Sequence, residues 1–369
     1  MSEVSNSSQV SLLNLILPKE SVLRVSNAVA SAGAEGVFQI TARGSVLNEG
    51  GFLQRMFPPP APEQVVLQAL VPDSKVESVM EAAINAGNLD RVGSGAVFTI
   101  SCNQAWFSKA FPGGPSDQEG YTSSFSSGDL EAICCICEIG VADDIAKAAL
   151  EGGAPGPTIT FGEGGGVRDK IPLLRITKGP EKEFVWCVVE KSDADDIFGG
   201  MARAGKITEP GRGFMYSIPV SNGLINVSST VSSSAHGANM EQIISALDDL
   251  KGGKDWRTAA DESKSRALKT TFLENLVGLY CIVPRDYYED VYDSILDAGA
   301  PGVSTNFGIM VDSGDDDQNE EWALVYTSVG PDSVDSLREK IEAKLVSLNV
   351  SGFASYTLPI PRALTYLGG

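Results

Sequence analysis

The feature that most constrains the fold of this chain is a short motif, Gly-Ala-x-Gly, that occurs three times. It occupies residues 33–36, 153–156 and 299–302. A short apolar run ends sixteen residues before each copy, at Leu17, Cys137 and Val283. This regular spacing indicates one structural unit that the chain uses three times.

Each copy of the unit is predicted to contain two helices and four strands. In the third copy, apolar residues between the run and the motif follow helical spacing at Tyr288, Val291, Tyr292, Ile295 and Leu296. The first glycine of the motif is expected to end this helix. Strand-like segments follow at residues 37–41 and 158–161, and again at 65–71, 184–189 and 322–329.

A second helix and a last strand complete the unit. The strand is opened by Gly95, Gly213 or Gly352. In the second copy, Gly199 and Gly200 predict a short or irregular helix, because glycine is a poor helix former.

The predicted order, strand–helix–strand–strand–helix–strand, is the ferredoxin-like (βαββαβ) arrangement. We therefore predict an α+β protein with module 1 at residues 1–110, module 2 at 129–228 and module 3 at 271–369. Residues 111–128 are rich in Gly, Pro and Ser and are predicted to be a linker, and residues 229–270 a linker with a bridging helix. One face of each sheet needs a cover, so the three modules are expected to cover one another.

The charge of the chain excludes several partners. There are 48 acidic and 28 basic side chains, a formal net charge of −20, which argues against nucleic acid and against an anionic membrane surface. The first residues lack the basic and apolar parts of a signal peptide, and the apolar runs are strand-sized. These features predict a cytoplasmic protein without membrane insertion.

Side chains for catalysis or metal binding are scarce. His236 is the single histidine, which removes multi-histidine metal sites and leaves little room for a Ser-His-Asp triad. Cys134, Cys135 and Cys137 lie on one strand, where only the last two share a face, and core packing is favoured over a metal site. We expect no catalytic residues, no metal and no enzymatic activity.

Several stretches resemble the P-II signal-transduction proteins and their P-II-like relatives. In the second unit these are residues 156–166 (GPTITFGEGGG), 181–185 (EKEFV), 204–207 (AGKI) and 211–213 (GRG). The first unit matches at residues 33–41, 70–73 and 93–95, and the third mainly in pattern. Such proteins are trimers with small effectors in the clefts between neighbours, so the resemblance implies an intramolecular pseudo-trimer of P-II-like modules.

The resemblance also implies where a nucleotide would bind. The matching positions are the strand residues Gly44, Thr158 and Gly162 and the loop glycines Gly93, Gly95, Gly211 and Gly213. In the second unit Arg203, Lys206 and Arg212 are the best anion ligands, with a solvated loop as the alternative. The lysine that P-II proteins place after the loop is Ala96 or Phe214 here, and another family lysine falls at about Gln64. The ligand expected is an adenine nucleotide or a small anion.

The function predicted from these observations is a non-enzymatic regulatory or adaptor protein. It would sense a small-molecule effector in a cleft and bind a protein partner, such as an enzyme, a transporter or an assembly, and homo-oligomers are compatible with it. The hydrophobic loop at residues 52–62 suggests a partner contact or packing onto a neighbouring unit, and the acidic run 312–321 a solvated or partner-facing loop. The alternative is a structural scaffold or assembly subunit with degenerate clefts.

Overall fold

A computed structural model describes residues 4–47, 61–112, 129–166, 181–227, 230–231, 271–311 and 320–367. Most of the predicted partner loop at 52–62, most of both linkers, His236 and most of the acidic run lie outside these residues. The described helices are α1 Val22–Ser31, α2 Val76–Gly87, α3 Ala142–Glu151, α4 Ala194–Ala204, α5 Tyr288–Asp297 and α6 Pro331–Ser347.

The strands are numbered in chain order. The first seven are β1 Val4–Ser7, β2 Val10–Pro18, β3 Val37–Gly44, β4 Val46–Leu47, β5 Glu63–Pro72, β6 Gly95–Ser101 and β7 Gln104–Ser108. The next six are β8 Leu130–Glu138, β9 Thr158–Gly166, β10 Glu181–Glu190, β11 Gly213–Val220, β12 Asn222–Asn226 and β13 Thr230–Val231. The last four are β14 Leu273–Pro284, β15 Gly302–Val311, β16 Glu320–Val329 and β17 Ala354–Thr365.

The repeated motif is explained by backbone conformation after the first helix of each stretch. Gly33, Gly153 and Gly299 follow α1, α3 and α5 with φ angles of 105°, 94° and 90°. Only glycine adopts this left-handed region without strain, and it turns the chain out of the helix. The prediction that this glycine ends the helix is confirmed.

Helix α4 differs from its prediction. It is a regular helix of eleven residues, although it contains Gly199 and Gly200. Ile197, Phe198 and Met201 are buried against the sheet. Tertiary packing of this apolar face therefore outweighs the low helix propensity of the two glycines.

The predicted architecture of three ferredoxin-like modules in a pseudo-trimer is wrong. Fifteen of the described strands form one mostly antiparallel sheet, in which nine close into a barrel and six others extend it. Around the barrel the order is β17, β11, β8, β10, β9, β3, β15, β16 and β14, which pairs again with β17. The local elements occur in the predicted order, but they do not form separate sheets.

The correction has a physical reason in the strand edges. A strand at the edge of a small sheet leaves a row of unpaired backbone groups. Here those edges pair across the predicted boundaries, as in β9 with β15, β11 with β17, and β6 with β12. Periodicity fixes which segments are strands, but backbone groups are the same in every strand, so it does not show which edges meet.

The core has two kinds of region, separated by the sheet. On β2, which extends the barrel, Leu12 and Ile16 belong to the same buried cluster as the interior residues of the barrel, while Leu13, Leu15 and Leu17 face α1 and α2. This follows from the alternation of side chains along a strand. Two further clusters lie under the pair α3 and α4 and the pair α5 and α6. Among the described residues, no helix has both the length and the apolar character needed to cross a bilayer.

Candidate functional site

Two of the predicted binding residues meet where strands β3 and β9 pair. Gly44 lies directly opposite Thr158. The Thr158 hydroxyl donates to Oε1 of Gln64 at 2.9 Å, and the Gly44 N–H donates to the Pro62 carbonyl at 2.8 Å. Gln64 thereby joins these two residues to the start of β5.

An open groove of about 660 Å³ lies beside this junction. It is formed by the end of β2, the start of β5 and the glycine loop before β6. Of the predicted residues, Gly93 lines the groove itself. Thr158 and Gly44 are each one hydrogen bond from its wall, through Gln64 and Pro62. The lining residues are Pro18, Lys19, Glu20, Pro62, Glu63, Gln64 and Gly93.

The groove carries mixed charge. Nζ of Lys19 lies 2.7 Å from Oε2 of Glu63, and both side chains are largely exposed. Their hydrogen bond and mutual attraction raise the pKa of Lys19 and lower the pKa of Glu63. Glu20 adds a second carboxylate, so one cation faces two anions. A ligand with several negative charges is disfavoured by this balance.

The glycine loop of the groove is engaged by the protein itself. The Gly93 N–H donates to the Asn226 carbonyl at 2.7 Å, and the Asn226 amide donates to the Leu89 carbonyl at 2.6 Å. At Gly95, a Cβ atom would lie 2.2 Å from the Ile16 carbonyl oxygen. The Gly93 N–H already has an acceptor, and Gly95 allows β6 to approach β2.

The predicted basic residues of the second unit lie elsewhere, in the last turn of α4 and on the loop between α4 and β11. Arg212 pairs with Glu138 at 3.4 Å and with Glu209 at 3.5 Å. Arg203 is exposed in the last turn of α4, and Lys206 is exposed with a left-handed φ of 51°.

The glycines of this second region also lie at close contacts. Gly211 has a φ of 73°, and the Thr365 hydroxyl donates to the Gly213 carbonyl at 2.8 Å. A Cβ atom on Gly213 would lie 2.0 Å from the Ile136 carbonyl, and one on Gly162 would lie 2.0 Å from the Thr305 carbonyl. None of these residues lines the groove.

Buried thiols offer no nucleophile. All six cysteines are free and buried. Burial raises the pKa of every one of them, to about 12 at Cys137 and Cys187. A thiol reacts as its thiolate, so these side chains stay inert near neutral pH. The described residues contain no group of three or more His, Cys, Asp or Glu placed to hold a metal ion.

Sequence reasoning missed Lys19, the one cation among the described residues that line the groove. A signal for it exists, because Pro18 and Lys19 follow the first apolar run as Pro284 and Arg285 follow the third. Gln64 was noted only as the position of a missing lysine, whereas it bonds Thr158 and lines the groove.

Comparison with known proteins identifies no family. No family model and no curated protein matches the chain. A microcompartment protein from Desulfitobacterium hafniense has 11% identity and a TM-score of 0.18, over 63% of this chain and 94% of its own. A bacterial light-regulated adenylyl cyclase has 10% identity and a TM-score of 0.15, over 64% of this chain and 78% of its own. An anthrone oxidase-like protein has 9% identity and a TM-score of 0.17, over 63% of this chain and 100% of its own.

Proposed function

We propose that this chain is a non-enzymatic regulatory adaptor that binds a small polar ligand in the groove beside Lys19 and Gly93 and, in response, binds a protein partner. The observation that supports this most is the convergence at the groove. Gly93 lies in its wall, and Gln64 connects that wall to Thr158 on β9. Residues from three separate stretches of the chain therefore surround one opening.

The charges of the groove favour a zwitterionic ligand, such as a free amino acid. Lys19 would bind its carboxylate, and Glu63 or Glu20 would bind its ammonium group. Because the Gly93 N–H already has an acceptor, the loop offers less to a phosphate chain than the sequence suggested. A nucleotide or a simple anion is the competing ligand class.

The groove includes the described end of the predicted partner loop at 52–62. Pro62 is the last residue of that loop, Glu63 follows it in the chain, and both line the groove. A ligand that breaks the ion pair between Lys19 and Glu63 and binds these side chains itself would change the contacts at the end of that loop. This proximity supports a regulatory role in which ligand binding changes partner binding.

The test is thermal unfolding of the purified protein with a panel of amino acids, 2-oxoglutarate, ATP and ADP. A ligand that binds only the native state adds about 2.7 kcal/mol at 100 times its dissociation constant. We expect an amino acid to raise the midpoint, and both Lys19→Gln and Glu63→Gln to abolish that rise.

Lys147→Gln is the matched control, because Lys147 is another exposed lysine in an ion pair, 3.7 Å from Glu151 on α3. This variant should keep the full response. A panel in which no compound moves the midpoint would refute the sensor proposal. A response to ATP alone that survives Lys19→Gln would place the ligand elsewhere.

A structural scaffold is the second candidate, and the arginine contacts favour it. Arg362 on β17 bonds Glu131 on β8 and Asp195 at the start of α4. Arg338 on α6 stacks over Trp106 on β7 at 4.6 Å. These contacts join parts of the chain that are distant in sequence. For a scaffold we expect no ligand response and a stable homo-oligomer in light scattering.

Two further parts of the proposal rest on sequence. The relation to P-II-like proteins depends on the quoted motifs, and the groove residue Gly93 belongs to one of them. The cytoplasm is proposed as the compartment because six free cysteines suit a reducing environment.

A further inference from the structure

The charges that line the groove do not cancel. Lys19 is the one cation among the described lining residues, whereas Glu20 and Glu63 are both carboxylates, which leaves a net charge of −1. The whole chain acts in the same direction, with 48 acidic and 28 basic side chains. The summed charge of a protein raises the local concentration of ligands of the opposite sign. The groove therefore attracts a ligand that is positive overall.

The two carboxylates of the groove lie in different surroundings. Oε2 of Glu63 is 2.7 Å from Nζ of Lys19. Glu20 follows Lys19 in a single turn of 3₁₀ helix, Lys19–Ser21, where successive side chains point about 120° apart. Glu20 is exposed, and within the part of the chain that the structure describes it forms no ion pair. The groove thus offers a close pair of opposite charges and a separate carboxylate.

This arrangement matches an amino acid whose side chain is a cation. The α-carboxylate and the α-ammonium group of an amino acid are attached to one carbon atom, so they need neighbouring partners, as Lys19 and Glu63 are. A cation at the end of the side chain needs an anion away from this pair, and Glu20 is the remaining carboxylate of the lining. Pro18 and Pro62 add apolar wall for an aliphatic stem.

We propose that the groove prefers free amino acids with a cationic side chain, the class of arginine and lysine, and that Glu20 determines this preference. The inference rests on the proposed function, because Lys19 and Glu63 have to bind the two α-groups. A polyamine is disfavoured because it brings no carboxylate to Lys19. An acidic amino acid is disfavoured because its side chain would approach Glu20 with the same charge.

Isothermal titration calorimetry with arginine, citrulline and agmatine tests the charges of the ligand one at a time. Citrulline has nearly the shape of arginine but a neutral side chain, and agmatine lacks the α-carboxylate. We expect arginine to bind about fivefold more tightly than citrulline, because an exposed ion pair contributes up to about 1 kcal/mol. Agmatine should also bind more weakly than arginine, and equal or tighter binding of agmatine would overturn the proposed orientation at Lys19.

Glu20→Gln should remove the preference for arginine. Its affinity for arginine should fall about fivefold, to that for citrulline, while its affinity for citrulline stays the same. Glu151→Gln is the matched control, because Glu151 is another exposed carboxylate, paired with Lys147 on α3, and its loss changes the net charge equally. This control should keep the preference. A preference for arginine that survives Glu20→Gln, or an equal loss in both variants, would overturn the role of Glu20.

The same titrations separate this inference from the proposed function. Equal affinities for arginine and citrulline, both abolished by Lys19→Gln, would overturn the cationic preference and leave an amino-acid sensor in place. Failure of every amino acid to bind would refute the proposed function and this inference with it.

Discussion

Replacing Gly162 with alanine should weaken the seam between β9 and β15, where these two barrel strands pair directly. Gly162 lies opposite Asn306, and an added Cβ would lie 2.0 Å from the Thr305 carbonyl and 3.0 Å from the Phe184 ring. Real Cβ contacts are essentially never below 3.0 Å, so the strands must separate by ~1 Å.

The magnitude follows from overpacking and from lost hydrogen bonds. Overpacking a dense region costs about 1–3 kcal/mol, and the obstacle here is backbone, which yields less than a side chain. Separation also strains the bond from Asn306 Nδ2 to the Phe161 carbonyl, which is 3.1 Å long, at about 1 kcal/mol. We expect a total loss of about 3–4 kcal/mol in the free energy of unfolding.

Guanidinium unfolding monitored by tryptophan fluorescence measures this loss as a lower midpoint. Gly200→Ala is the control, because its nearest atom, the Ala148 carbonyl oxygen, would be at an ordinary 3.6 Å. Alanine in a helix should stabilise by about 0.5–1 kcal/mol. Equal midpoints for Gly162→Ala and the parent protein would show that the two strands are not this close, and the argument for the seam would fail.

Three further predictions concern charge. Arg362→Met removes the ion-pair partner of Glu131 and the stacking on Phe198. It should lower the free energy of unfolding, measured with a chemical denaturant, by about 2–3 kcal/mol. No loss would show that the ion pair is fully solvated. Glu183→Ala removes the carboxylate that accepts from the Gly140 and Ala142 N–H groups at the start of α3. It should lower the free energy of unfolding by about 2 kcal/mol and increase amide exchange in α3, and unchanged exchange would contradict this. Raising the pH should destabilise the fold, because the pKa values of the buried thiols are higher in the native state than in the unfolded state. The thiols therefore contribute their full share to the free energy of unfolding below about pH 8.5, and that share is lost towards pH 12. Unfolding midpoints at pH 8 and pH 10.5 test this, and equal values would contradict it; the thiols are Cys102, Cys134, Cys135, Cys137, Cys187 and Cys281.

Local structure was predictable from this sequence because its causes are local. The spacing of Val291, Ile295 and Leu296 specifies the buried face of α5, and Gly299 ends that helix in a conformation that other residues avoid. The barrel was not predictable in the same way. Its closure depends on carbonyl contacts at Gly162 and Gly213, and glycine in a sequence does not reveal which backbone will approach it.

The candidate site was predictable only in part for a related reason. Gly44, Thr158 and Gly93 were predicted as ligand residues, and the structure gives each a partner within the protein, at Pro62, Gln64 and Asn226. Small residues serve close backbone approach whether the neighbour is a phosphate or another strand. Lys19 was missed because its sequence signal, the parallel between Pro18-Lys19 and Pro284-Arg285, is not shared by the second stretch, where Glu138 and Ile139 follow the apolar run.

The three repeated stretches differ at the position of Lys19, and this difference limits where a charged ligand can bind. The equivalent positions, two residues after each apolar run, are Lys19, Ile139 and Arg285. Ile139 is exposed and apolar, and Arg285 is stacked on the Phe307 ring at 3.5 Å, which commits its guanidinium face. Only Lys19, held by an exposed carboxylate, can exchange its partner for a ligand at little cost, since exposed ion pairs contribute little. A ligand that needs a cation at this position should therefore bind once per chain, with a stoichiometry near one in calorimetry. A stoichiometry of two or three would mean that the equivalent positions bind as well, and the assignment to Lys19 would not stand.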